Sequence, residues 1–486
     1  MKKEVRDLEP KRVWNRFADL NEVPRASKKE ERVIRFMLDF GKDLGLDTME
    51  DEVGNVIIRK PASLGMESRK TVVLQSHLDM VHQKNTDTDF DFDTQGIRMY
   101  VDGDWVRAEG TTLGADNGLG VATIMALLES SDIAHPALEA LFTIDEETGM
   151  TGAKGLRGGL LKGTILLNLD TEEDDEIDIG CAGGIDVTAK GEYIEEKISP
   201  DSVAFIIKIG GLNGGHSGMD IHKGSGNANK LMNFLLEKGH AHFGLRISRL
   251  HGGGLRNAIP RESTAIVTLK ISDAADFTLK FEEWAQRLTA EFVMTDPRLK
   301  ITLGPTELPK MMMGARAQSD LLKAMKEAHN GMYAMSKTMD DLVETSNNIA
   351  QVSVENGFLK IACLTRSSVE TGKMELANGL KSVFENAGYQ VSLSGDYPGW
   401  DPDPDSDILR LLQSQYVALF KEQPRVVACH AGLECGILGR NYPDMEMVSF
   451  GPTIKGAHSP DERASIVSVQ KFWKYIQNIL KNIPEA

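Results

Sequence analysis

The feature that most constrains the fold is a set of imidazole and carboxylate side chains of the kind a metal site gathers, distributed very unevenly along the chain. His77, Asp79, Asp116, the adjacent pair Glu146-Glu147 and Asp170 lie in the first part of the sequence, whereas the matching second histidine, His458, lies near its far end. A chain that closes this set must bring both of its ends into one domain, so the long middle stretch is an insertion. We expect residues 1–186 to form the first part of the ligand-bearing domain, 187–397 the inserted domain, and 398–486 the second part. The 486 residues exceed the ~250–300 over which one hydrophobic core usually grows, which also calls for more than one domain.

Val13, Trp14, Phe17 and Leu20, then Val33, Ile34, Met37, Phe40 and Leu44, recur at helical spacing and predict two amphipathic helices. Strands over 54–59, 71–75, 138–144 and 164–169 then alternate with a helix over 117–130. This is the α/β signature of a mostly parallel central sheet flanked by helices, in which sites collect beyond the carboxyl ends of the strands. His77, Glu146, Glu147 and Asp170 all follow such ends. Beyond residue 187 the texture changes. Asn257-Ala258-Ile259-Pro260 with strand 265–271, helix 276–292 and strand 299–303 is echoed by Asn348-Ile349-Ala350 with strand 358–364, helix 369–385 and strand 389–393. The repeat predicts an α+β lid of two similar halves, each with helices on one face of an antiparallel sheet. After the proline-rich run Tyr397 to Pro404 the alternation returns, with helices over 406–421 and 466–480, a helical turn over 433–438, and strands over 425–428 and 445–450.

With 41 % hydrophobic and 26 % charged residues, the core supply is ample and the chain is far from the disordered class. A formal charge of −17 argues against a nucleic-acid partner, which needs a basic footprint, and against anionic membranes. No stretch approaches the ~18 apolar residues of a membrane span, and no apolar segment follows the charged start, so a cytoplasmic location is expected. The four cysteines, Cys181, Cys363, Cys429 and Cys435, are too scattered for a disulfide framework or a metal clip and read as buried thiols.

The site residues carry their own logic. In His77-Leu78-Asp79 alternate residues share a face, so Asp79 can orient a metal-bound imidazole. Asp116, at a helix start among glycines, reads either as an N-cap or as a carboxylate bridging two cations, with the helix N–H groups to hold it. Asp145-Glu146-Glu147 would repel unless cations compensate, and adjacent side chains point apart. Glu147 is therefore assigned as a ligand, and Glu146 as the general base that takes a proton from water. The acidic run Glu172 to Glu176 reads as a solvated loop.

In order, His77-Leu78-Asp79, Gly114-Ala115-Asp116-Asn117-Gly118, Asp145-Glu146-Glu147-Thr148-Gly149, Asn168-Leu169-Asp170 and Ala457-His458-Ser459-Pro460-Asp461-Glu462 resemble the dinuclear zinc peptidases that include aminoacylases, carboxypeptidases and dipeptidases. Pro24-Arg25-Ala26-Ser27, Gly214-Gly215-His216-Ser217-Gly218, Leu255-Arg256-Asn257-Ala258-Ile259-Pro260, Tyr397-Pro398-Gly399-Trp400 and His430-Ala431-Gly432-Leu433-Glu434-Cys435-Gly436 extend the likeness to the bacterial branch acting on aminoacyl-histidine dipeptides. The resemblance implies a zinc-peptidase-like catalytic domain and two Zn²⁺ per chain, cobalt or manganese being able to substitute. One ion would lie on His77, Asp116 and Asp170, the second on Asp116, Glu147 and His458, with Asp79 orienting His77 and a cis peptide between Asp116 and Asn117. It also implies hydrolysis of unblocked dipeptides, Xaa-His and β-alanyl-histidine among them. His216 and Asn257 are candidates for the oxyanion, Arg366 for the substrate carboxylate and Glu434 for the free amine. The partner is then a small peptide, and the chain a monomer or homodimer. An N-acyl amino acid amidohydrolase or a tripeptidase would use the same metals, and a non-catalytic metal-binding protein is the alternative of another class.

Overall fold

A computed structural model describes residues 4–486, which divide into two compact units. One takes the chain as far as Gly180 and again over Pro402–Ala428 and Leu433–Ala486; the other comprises Cys181–Asp401 and Cys429–Gly432. The breaks fall a few residues outside the expected 186/187 and 397/398. The short return at Cys429–Gly432 had no local signal, because it is defined only by what it packs against.

The first unit is built on an eight-stranded sheet in the order Asp47–Glu50, Val56–Lys60, Leu138–Thr143, Val72–His77, Ile165–Asn168, Glu446–Ser449, Glu176–Cys181, Arg425–Cys429. The four strands from Leu138–Thr143 to Glu446–Ser449 run parallel, whereas Asp47–Glu50 and Val56–Lys60 are antiparallel additions at one edge. Val72–His77, Leu138–Thr143 and Ile165–Asn168 are buried at every position, as expected for strands covered on both faces. Helix Ala115–Glu129 packs against Val72–His77, with helix Lys11–Asn21 against it. It is apolar around its whole circumference because it is enclosed. Tyr416, Phe450 and Tyr475 stack edge to face where helices Asp407–Phe420 and Ile466–Lys481 cover the second part. A four-stranded sheet, Ile454–Lys455, Arg463–Ser465, Trp105–Ala108, Met99–Asp102, was not anticipated; its strands are two to four residues long and carry no apolar run.

In the second unit, all the strand pairings of a nine-stranded sheet are antiparallel. One half is ordered Lys300–Pro305, Ser202–Gly210, Ser263–Lys270, Arg246–Gly252, with helices Ala228–Phe243 and Ala274–Glu291. The other repeats this order as Gln390–Tyr397, Gly183–Glu192, Phe358–Ser367, Val343–Glu355, with helices Ala315–Glu327 and Glu370–Asn386. The halves join where Arg246–Gly252 pairs with Val343–Glu355, and all four helices share one apolar core with the sheet. The first strand of the second half, Gly183–Glu192, precedes the whole first half in the chain, so the duplication is interleaved as well as tandem.

Candidate metal centre

His77 is the last residue of its strand, and Asp170 follows shortly after the neighbouring strand Ile165–Asn168. His77 Nε2 lies 3.2 Å from Asp116 Oδ1 and 3.5 Å from Asp170 Oδ1. The other oxygen of Asp116 is 3.1 Å from His458 Nε2, which is in turn 3.0 Å from Glu147 Oε2. The carboxylate of Asp116 thus links two donor triads, His77/Asp116/Asp170 and Asp116/Glu147/His458, and Glu146 falls into a third grouping with His77 and Glu147.

These separations of 3.0–3.5 Å match the ~3.4 Å edge of a tetrahedron of donors about 2.1 Å from a central zinc-like ion. Glu147 Oε1 is buried with no hydrogen-bond partner, an orphaned acceptor of the kind a cation satisfies. The local charge balance points the same way. Burial alone would lower the His77 imidazole, yet Asp170, Asp116 and Asp79 hold it well above its ordinary value. Hydrogen bonds to Asp116 and Glu147 push His458 up to about 11. Burial, with Asp170, Glu434 and Glu147 adding repulsion, drives Glu146 well above the usual carboxylate range although His77 opposes it. The set carries more negative charge than its two imidazoles neutralise, and it fits a pair of divalent cations.

Asp79 faces the opposite nitrogen of His77, with Oδ1 3.4 Å from Nδ1. Its two oxygens also accept the backbone N–H groups of Glu146 (3.0 Å) and Glu147 (3.3 Å) and the Ser27 hydroxyl (2.8 Å). Burial would raise this carboxyl, but His77, Ser27 and the N–H of Glu146 outweigh it and bring it down to about 2. One side chain therefore fixes the imidazole and the glutamate turn together. The peptide between Asp116 and Asn117 is cis, and the Asn117 amide hydrogen-bonds Asp170. Asp145 and His458 both hold positive φ, an uncommon conformation for such residues that clusters at functional sites.

One role differs from expectation. Asp116 does not cap its helix, nor do the helix N–H groups hold it. Those of Leu113, Gly114, Ala115 and Asp116, at 2.7, 3.0, 2.7 and 3.3 Å, are taken by the buried carboxylate of Glu462. Glu434 is fully buried and accepts from the Gln75 amide and the Thr143 hydroxyl, both at 2.6 Å, while burial lifts its carboxyl to about 7. Both bonds are made by Oε2, and the Glu434 Oε1 is buried with no hydrogen-bond partner.

The acidic run is also not a solvated loop: Glu173 pairs with Lys455, Asp174 with Lys471, and Asp175 and Glu176 with Arg425. Arg25, unassigned in the sequence, is buried and donates to the carbonyls of Leu78 (3.0 Å), Asp79 (3.2 Å) and Gly114 (2.6 Å), joining two ligand-bearing loops. Gly114 sits at φ +68° with that guanidinium 2.5 Å from where a Cβ would be, so a side chain there would be strained and would displace the arginine. A charged residue inside each matched motif was the available signal for Arg25 and Glu462.

The remaining candidates lie in the second unit. His216 Nδ1 accepts the N–H groups of Gly218 (3.2 Å) and Met219 (3.0 Å), which leaves the ring proton on Nε2. Burial and the nearby Arg366 lower this imidazole to about 4. Arg366 NH2 lies 3.5 Å from His216 Nε2. Asn257 is exposed, and its carbonyl accepts the Ser217 N–H at 2.7 Å, so its loop is tied to that of His216.

A fold of this kind, with paired donor triads at the ends of parallel strands, defines a class of metal-dependent hydrolases. Residues 73–482 match the model of peptidase family M20/M25/M40, and the chain belongs to that family. It is 41 % identical over 482 residues, 99 % of either chain, to the cytosol non-specific dipeptidase of Escherichia coli K12. The crystal structure of aminoacylhistidine dipeptidase from Vibrio alginolyticus superposes with a TM-score of 0.93 at 42 % identity, covering 100 % of this chain and 99 % of that one. The aminopeptidase PepT from Bacillus cereus shares the fold, with a TM-score of 0.61 at 16 % identity over 98 % of this chain and 99 % of its own. Among the described residues no helix is long and apolar enough to cross a membrane.

Proposed function

We propose that the protein is a two-zinc dipeptidase that hydrolyses unblocked dipeptides, Xaa-His and β-alanyl-histidine among them. The observation that carries this reading is the sharing of Asp116 between two donor triads, with Glu146 left over beside them. His77, Asp116 and Asp170 would hold one ion, and Asp116, Glu147 and His458 the other. Bound there, the cations would polarise the scissile carbonyl and make the attacking water more acidic.

The chain's own groups do the rest. Asp79 keeps the His77 ring oriented and, through two backbone N–H groups, fixes the direction of the Glu146 side chain. Glu146 takes a proton from the water onto its carboxylate and delivers it to the leaving amine nitrogen. The neutral His216, with its proton on Nε2, donates to the developing oxyanion alongside Asn257, and Arg366 receives the substrate's carboxylate. The whole-chain similarity to an aminoacylhistidine dipeptidase supports the substrate class.

A panel of dipeptides, tripeptides and N-acetyl amino acids, assayed before and after chelation and then with zinc, cobalt or manganese restored, tests the reading. Chelator-sensitive cleavage of Xaa-His without loss of N-acetyl substrates is the expected result. Preference for the acylated compounds, or indifference to chelation, would overturn it.

A further inference from the structure

Arg366 is 5 % exposed, and its partners are all neutral: the Tyr397 hydroxyl at 2.8 Å from NH1, the Ser217 hydroxyl at 3.5 Å from Nε, and His216 Nε2 at 3.5 Å from NH2. Among the described residues no carboxylate lies within ion-pair distance of it. A buried guanidinium without a counter-charge is costly unless an anion arrives. Around it, donors face donors. His216 carries its proton on Nε2, pointing toward the arginine, and the Tyr397 oxygen accepts from NH1, which turns its own O–H away from the guanidinium.

The backbone is arranged to put Tyr397 there. Arg366 and Tyr397 stand on two strands either side of Gly183–Glu192, and both are in register with the same residue, Gly184. The phenol reaches the guanidinium by crossing that position. A Cβ on Gly184 would lie 2.6 Å from both Cζ and the hydroxyl of Tyr397, so glycine is what leaves the ring its path. The tyrosine backbone is pinned as well, since the fully buried Lys373 donates to its carbonyl at 2.8 Å and pairs with Asp396 (2.7 Å) and Glu370 (2.9 Å).

We infer that Tyr397 is a specificity-determining residue whose O–H donates to the same substrate carboxylate that Arg366 receives, through a register that Gly184 makes possible. This rests on the proposed carboxylate role of Arg366 and adds to it a second, neutral donor. A fork and a phenol together require an acceptor with two oxygens and a full charge, which a free C-terminus offers and an amide does not. The side chain is a contact for binding and takes no part in moving protons.

The test compares alanyl-histidine with alanyl-histidinamide on the metal-loaded parent protein and on Tyr397→Phe, Gly184→Ala and Arg366→Met. For Tyr397→Phe we expect KM for the acid to rise about tenfold or more, kcat to change less than twofold, and the acid-over-amide preference to fall by the same factor as KM rises. Gly184→Ala keeps both side chains and should reproduce the loss by displacing the ring. If Arg366→Met alone loses the preference, the assignment of Tyr397 falls while the carboxylate reading stands. If none of the three loses it, the carboxylate reading falls too. Equal losses on acid and amide in Tyr397→Phe, with KM unmoved, would mark a merely structural side chain and overturn the inference.

Discussion

His77 and His458 offer the same ring nitrogen to the same carboxylate, Asp116, at 3.2 and 3.1 Å, yet the two ends of the centre are supported very differently. His77 is buried at the end of an all-buried strand, and its second nitrogen is held against Asp79. His458 is half exposed in the loop between two short strands, in a left-handed backbone conformation, and among the described residues its ring pairs with Asp116 and Glu147. Its support is indirect: Glu462, four residues on, clamps the first N–H groups of the helix that carries Asp116. Equal donors on unequal scaffolds should give a tight site at the His77 end and a more exchangeable one at the His458 end, because orientation by outer groups commonly sets metal affinity.

The largest effect that would break this comparison is removal of both ions. Exhaustive chelation should reduce turnover to background, and limited chelation should remove one equivalent well before the other, which metal analysis against residual activity will show. Release of both equivalents in step would mean that the two ends are energetically alike. Because the ions bind the folded chain, their restoration at about 100 times Kd should add about 2.7 kcal/mol per ion to stability in thermal melts. Next comes Glu146→Gln, which leaves both scaffolds in place. It should lower kcat about 10²–10⁴-fold with metal content unchanged, and full activity in that variant would remove Glu146 from the mechanism.

Asp79→Asn and Glu462→Gln sharpen the comparison directly. Losing the Asp79 charge takes away the partner of His77 and the acceptor of two backbone N–H groups, so metal affinity should fall about 10–100-fold. Glu462→Gln still meets the helix start but without charge. It should cost about 1–3 kcal/mol in denaturant unfolding and weaken only the more exchangeable ion, by less than Asp79→Asn does. Isothermal metal titration of the two variants decides this, and the opposite ranking would mean that the loop, not the strand end, governs affinity.

How far sequence reading reached follows the same division. His77, Glu146, Glu147 and Asp170 were legible because apolar runs mark the buried strands that deliver them, and the period of such strands is local information. Asp116 was legible as a residue but not in its surroundings, since the four N–H groups at its helix start are satisfied by Glu462, 346 to 349 positions away. Arg25 was hidden for the same reason: its acceptors are carbonyls, which any residue has, so the pairing leaves no mark on the partner's identity. In the second unit the duplicated texture was visible, but the interleaving of Gly183–Glu192 was not, because strand order is set by long-range pairing rather than by pattern. The acidic run misled because Lys455, Lys471 and Arg425, which neutralise it, lie far along the chain.

That neutralised run supplies the smallest test. Lys455, three residues before His458, pairs with Glu173, three residues after Asp170, so one ion pair spans the loops that carry a ligand from each end of the centre. Both side chains are partly exposed, and such pairs contribute no more than about 1 kcal/mol. Lys455→Met should therefore leave global stability within that margin and kcat at saturating metal unchanged. Its one visible consequence should be a two- to threefold faster loss of the exchangeable equivalent under limited chelation, with the tight equivalent unaffected. A matching change in both equivalents would show that the two ends are mechanically joined through this pair, and the contrast between a rigid and an adjustable histidine would then give way to a single cooperative site.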